Sequence, residues 1–123
     1  MLEKIIGNRK FDSAIFIDCY DLKFMEDFCI EHLYTTGRAI IIHQPYIVDF
    51  TIPLEKLNLR GRQVRWIVNN LAESMAQIHL FELIDFVYIE VFDQAKIDLL
   101  LPFLKQSAVI LTKEQLCLQG NNS

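Results

Sequence analysis

Four basic side chains, Lys56, Arg60, Arg62 and Arg65, fall within ten positions, with Gly61 among them and Trp66 directly after. Arginines at the start of a helix oppose its dipole, and an anion held by the amides near Gly61 would reverse that cost. A phosphate-bearing ligand or a nucleic-acid backbone suits such a cluster, and an adjacent indole can stack a base. The competing reading pairs the same side chains with carboxylates of the chain itself or of a neighbouring subunit. Solvated charge faces of this kind are common, which favours the second reading, and 16 acidic against 12 basic residues give a net charge of -4, which repels nucleic acid and anionic membrane.

Other reactive residue types are scattered. Asp18 and Asp21 bracket the end of an apolar run, where carboxylates of open sheets meet metals or ligands, but neither a glycine-rich loop nor a third acid accompanies them at a telling spacing. Asp21 reads more simply as a helix cap and Asp18 as a strand-end residue. Cys29 and His32, three apart on one predicted helix, supply two ligand atoms. A zinc site needs a second close pair, and His43 and His79 lie far off in sequence. Cys29 is read as core and His32 as its margin. No Ser or Cys sits in a glycine elbow, so no catalytic residue, metal or cofactor is assigned and no catalysis is expected.

Two short segments resemble known families. Tyr46-Ile-Val-Asp-Phe50, followed by Glu55-Lys56, resembles the metal-binding core of the PD-(D/E)XK nucleases, which implies a metal-dependent nuclease centred on Asp49 and Glu55. The pattern departs from that family because adjacent Glu55 and Lys56 would point to opposite faces of a strand. Ile17-Asp-Cys-Tyr-Asp-Leu-Lys-Phe-Met-Glu26 resembles the strand-to-helix segment of STAS domains, which implies an STAS-like α/β fold. The phosphorylated serine of that family has no counterpart in Met25-Glu26-Asp27.

The elements that must position these residues follow from periodicity. Leu2 to Ile6, with Gly7-Asn8 behind, reads as a short edge strand entering a hairpin. Ser13 to Asp18 is continuously apolar and predicts a buried central strand. Asp21 as N-cap and Gly37 as stop predict a helix from Leu22 to Thr36, burying Leu22, Met25, Cys29 and Leu33, with Phe24 and Phe28 widening the stripe. Arg38 to His43 and Tyr46 to Ile52, split by Gln44-Pro45, predict an antiparallel pair. Val64, Val68, Leu71, Met75 and Ile78 recur at helical spacing and predict a long helix from Arg62 to Phe81. Phe86 to Phe92 is a strand by residue type. Asp93 caps a helix that kinks at Pro102, Ala108 to Leu111 is a last strand, and Thr112 with Gln115 forms a capping box.

The central order strand, helix, strand, strand, helix, strand predicts an α+β fold, a ferredoxin-like βαββαβ sandwich with an added N-terminal strand and a C-terminal helix-strand extension. The STAS-like α/β fold is the alternative. The 123 residues suit a single domain over 1–119 with a frayed tail at 120–123. Three widely spaced cysteines argue for reduced thiols and a cytoplasmic protein, and no apolar run reaches the roughly 18 residues that span a membrane. One open sheet face, with nine Phe and four Tyr available to line it, predicts a homodimer or a protein partner there. The expected function is a small protein-interaction or regulatory module, with phosphate-ligand or nucleic-acid binding second and a nuclease third.

Overall fold

A computed structural model describes residues 2–45, 60–78 and 83–116. In chain order the elements are α1 (Leu2–Ile6), β1 (Phe11–Ile17), α2 (Leu22–His32), β2 (Leu33–His43), β3 (Gln63–Val68), α3 (Leu71–Ala76), β4 (Ile84–Ile89), α4 (Gln94–Leu100) and β5 (Leu104–Thr112). A 3-10 turn at Leu101–Phe103 joins α4 to β5, placed by Pro102 as the missing amide requires. The five strands form one sheet in the order β3-β2-β1-β4-β5, and all four pairings are parallel.

Strand β1 is the expected buried centre. Asp12 is its one exposed residue, and Ala14 to Ile17 pair with Ala39 to Ile42 on one side and Phe86 to Ile89 on the other. Alternate side chains of these strands enter two separate cores. On one face Phe16, Ala39, Ile41, Phe86 and Tyr88 meet Met25, Phe28 and Cys29 of α2, with Leu2, Ile5 and Ile6 of α1 packed against them. This face is aromatic: Phe28 lies 4.3 Å from Phe86 and edge-on to Phe16 at 5.4 Å. On the other face Ile15, Ile17, Ile40, Ile42, Val87 and Ile89 meet Leu71 and Met75 of α3 and Ile97 and Leu100 of α4.

The placement of helices follows from the strand order. From β1 the chain steps outward to β2 and β3, then returns past β1 to β4 and β5. Keeping one crossover hand in both directions puts α2 on one face and α3 and α4 on the other, the doubly wound arrangement of α/β domains. None of the described helices is long and apolar enough to cross a membrane.

The ferredoxin-like expectation is therefore corrected. Its sheet would be antiparallel and open on one face, whereas here every pairing is parallel and both faces carry helices. The open flank proposed for a dimer or partner disappears with it. Two misread segments account for the error. Gln63–Val68 is strand β3, in which Val64 and Trp66 serve one core and Ile67 the other; the helix begins only at Leu71, where the Asn70 side chain accepts from the Glu73 amide at 2.8 Å. Leu2–Ile6 is a helix ended by Gly7, whose φ of 62° and bond from its amide to the Glu3 carbonyl form a left-handed cap. Tyr46 to Ile52 lies outside the described residues. Other expectations hold: Asp21 and Asp93 cap α2 and α4, and Thr112 and Gln115 bond reciprocally.

Gly37 does not stop α2, which passes directly into β2 at Leu33. Between the pairs Phe11↔Leu33 and Ser13↔Arg38 the β2 backbone bulges, and Gly37 is buried there against the neighbouring strand. A Cβ at this position would lie 2.7 Å from Leu33 Cγ, 2.9 Å from the Tyr34 carbonyl oxygen and 3.0 Å from that of Asp12. Gly37→Ala is expected to cost about 1–3 kcal/mol of overpacking. Urea unfolding at unchanged slope measures it, and a variant as stable as the parent would contradict the close approach.

Candidate functional site

In a doubly wound sheet the connections diverge between β1 and the strand reached by the return crossover, leaving a crevice beyond the carboxyl ends of the strands. Here β1 and β4 flank that point. It gathers Asp18 to Asp21 after β1, His43 and Gln44 at the end of β2, Glu90 to Phe92 after β4 and Lys113 after β5.

Asp18 organises the crevice. Its φ of 56° is left-handed, a conformation that Asp tolerates better than most residues. Its amide donates to the Ile42 carbonyl at 2.8 Å. The buried carboxylate accepts the Gln44 backbone amide at 3.0 Å and the Gln44 side-chain amide at 2.7 Å, and Lys96 of α4 approaches it to 3.8 Å. One side chain thus ties the ends of β1 and β2 to a helix of the other layer.

His43 is locked in a similar way. The Trp66 indole donates to Nδ1 at 3.0 Å, so Nε2 carries the hydrogen and donates to the Cys19 carbonyl at 2.7 Å. Tyr20 stacks on the ring at 4.3 Å with only 7° between the planes. An imidazole engaged at both nitrogens is not poised as a general base. Burial pushes the Cys19 thiol up to about 12, which removes it as a nucleophile.

Towards α1 the crevice becomes amphipathic. Burial, followed by its hydrogen bond to Glu90 at 2.9 Å, raises the Tyr88 phenol above its ordinary range. Lys113 pairs with the other Glu90 oxygen at 3.1 Å. These groups and Asp21 share a cleft of about 340 Å³ with Leu2, Phe24 and Leu116. A second cleft, of about 400 Å³, also uses Glu90 and Lys113 and is walled by Val91, Phe92, Thr112 and Glu114. Val91 is 69% and Phe92 57% exposed, and Tyr20 nearby on the β1 side is 38% exposed.

The basic cluster read from the sequence does not converge here. Lys56 lies outside the described residues, as do Asp49 and Glu55 of the nuclease-like pattern. Arg60 is exposed in the turn before β3, with a φ of 52°. Arg62 donates to the carbonyls of Ile30 at 3.2 Å and Leu33 at 3.0 Å, so it covers the C-terminus of α2. Arg65, on the opposite face from Trp66, reaches Gln77 at the end of α3, at 3.5 Å to its carbonyl and 3.4 Å to its side-chain oxygen. Both arginines therefore sit at helix C-termini, where the dipole favours a cation, and not at the helix start assumed from the sequence. The Tyr88, Glu90 and Lys113 group escaped the sequence reading. Its only linear signal is the i, i+2 spacing that puts Tyr88 and Glu90 on one side of a strand.

No family model, curated protein or solved structure matches this chain.

Two expectations follow from this geometry. Asp18→Ala loses both the carboxylate bonds and the tolerance for a left-handed backbone, and is expected to cost about 2–4 kcal/mol in urea unfolding. Asp18→Asn retains an acceptor for Gln44 and should lose less; equal losses would remove the backbone from the explanation. Burial pushes the Cys29 thiol as well as that of Cys19 up to about 12, against an ordinary value of 9.0. The unfolded chain sheds those protons first, so stability should fall as pH rises from about 9 towards 12, on the order of 1 kcal/mol per pH unit for each thiol. Urea midpoints for a Cys19→Ala/Cys29→Ala variant should decline more shallowly with pH over that range, and a slope like that of the parent would refute the assignment.

Proposed function

We propose that the chain is a binding module without catalysis of its own, and that it docks a protein partner on the carboxyl edge of its sheet. The observation that carries this reading is the exposure of Val91 and Phe92 at the end of a strand whose every residue is buried. Large side chains exposed beside a concave surface are the usual anchors of an interface. The groups around them that would otherwise do chemistry are held by one another: Asp18 by Gln44, His43 by Trp66 and Cys19, and Glu90 by Tyr88 and Lys113.

The rim gives the partner its chemistry. Asp21, Glu90 and Glu114 outnumber Lys113 around the two clefts, on a chain whose net charge is -4. A segment presenting one aromatic or branched side chain between Lys or Arg residues would complement both the apolar walls and the acidic edge. The interface moves from a sheet face, which helices cover, to the end of the sheet.

A displayed peptide library selected on the parent protein, with counter-selection on Val91→Asp/Phe92→Asp, tests this. Both positions are exposed, so the variant should unfold within about 0.5 kcal/mol per site of the parent. Enriched peptides should carry an apolar residue flanked by basic ones, bind at least tenfold more weakly to the variant, and weaken with added salt. Peptides that bind both proteins equally, or a dimer by light scattering that Phe92→Asp dissociates, would overturn the partner reading.

A further inference from the structure

At the opposite end of α2 from its Asp21 cap, Glu31 and His32 face Glu3 of α1. One ligand atom from each of the three residues lies within 4.8 Å of the other two. His32 is only 3% exposed, and its Nε2 is buried without a hydrogen-bond partner. The nearest carboxylate oxygen, Glu31 Oε2, stands 3.9 Å away, too far for a hydrogen bond.

The other ring nitrogen settles the tautomer. Nδ1 lies 3.2 Å from the Arg9 carbonyl oxygen, which can only accept, so Nδ1 carries the hydrogen and in the neutral ring Nε2 presents a lone pair on the side of the carboxylates. A cation seated between the Nε2 lone pair and the two carboxylates would be ligated by all three, competing at Glu3 with the N-terminal amine that bonds its carboxylate. A backbone carbonyl on the remote nitrogen is also the arrangement that orients metal-bound histidines.

We infer that Glu3, Glu31 and His32 form a site for one divalent cation of the zinc type. One imidazole nitrogen with two carboxylates matches the ligands of Zn²⁺, whereas Mg²⁺ and Ca²⁺ take oxygen alone. Ligand atoms around tetrahedral Zn²⁺ sit roughly 3.4 Å apart, so the exposed Glu3 and Glu31 side chains need to close by about an ångström. The cleft they line, of about 390 Å³, leaves room for a water as fourth ligand.

The cation would fasten α1 to the fold. This five-residue helix buries no residue fully and holds on through the partly buried Leu2, Ile5 and Ile6. Leu2 also walls the 340 Å³ cleft at the carboxyl edge, so ligation at Glu3 holds one side of that cleft in place.

Untagged protein, stripped with chelator and titrated with Zn²⁺ against a chromophoric competitor, tests the site. One equivalent should bind, the thermal midpoint should rise with excess Zn²⁺, and Mg²⁺ should do neither. Glu3→Gln and Glu31→Gln alter exposed side chains and should fold like the parent, yet each should weaken Zn²⁺ binding at least tenfold and abolish the thermal shift. In the parent the His32 Nε2 nitrogen resonance should move on adding Zn²⁺. Absence of uptake, or uptake as tight in both Gln variants as in the parent, would overturn the assignment.

Discussion

Strand β1 is hydrogen-bonded along both edges and covered on both faces, and the rest of the molecule accommodates that. A strand so placed has no solvated side on which to keep polar residues, which is why its side chains from Ser13 to Ile17 are all buried. Its amides and carbonyls must all be paired within the protein, and the pairing continues past the strand itself: the Asp18 amide reaches Ile42, and the Ile17 carbonyl accepts from Glu90. At the other end of the strand, where the register shifts, the buried Asp85 carboxylate takes the amides of Asp12 and Ser13 and draws in Lys105.

This constraint also decides where polar side chains of several strands can gather. With both faces occupied by helices, the carboxyl ends of the strands are where side chains from β1, β2 and β4 meet one another and solvent. The buried charges there are paired, while the exposed rim keeps an acidic excess. A buried carboxylate is tolerable only when paired, and Asp18 meets that demand through Gln44 and Lys96. These bonded side chains share the edge with the exposed Val91 and Phe92.

Parts of this were legible in the linear chain because they are local. The caps at Asp21 and Asp93, the box at Thr112 and Gln115, the break at Pro102 and the buried character of Ser13 to Ile17 depend on residues within a few positions of each other. Other parts were misread because two periodicities share residues. Val64 and Val68 fit a helical spacing with Leu71 and Met75, yet Val64-Arg-Trp-Ile-Val68 alternates as a strand, and only pairing with Arg38 to His43 selects the second pattern. Gly37 looks like a helix stop until the strand beside it is known.

Sequence alone determined the caps, the breaks and the apolar central strand, since each rests on short-range backbone chemistry or on residue type. Tertiary structure decided that the strands run parallel, that helices fill both faces, that Arg62 and Arg65 cover helix ends, and that Glu3 meets His32 across 29 positions of chain. Strand direction and long-range juxtaposition depend on which surfaces bury one another, and apolar burial carries no direction that a residue's own neighbours could reveal.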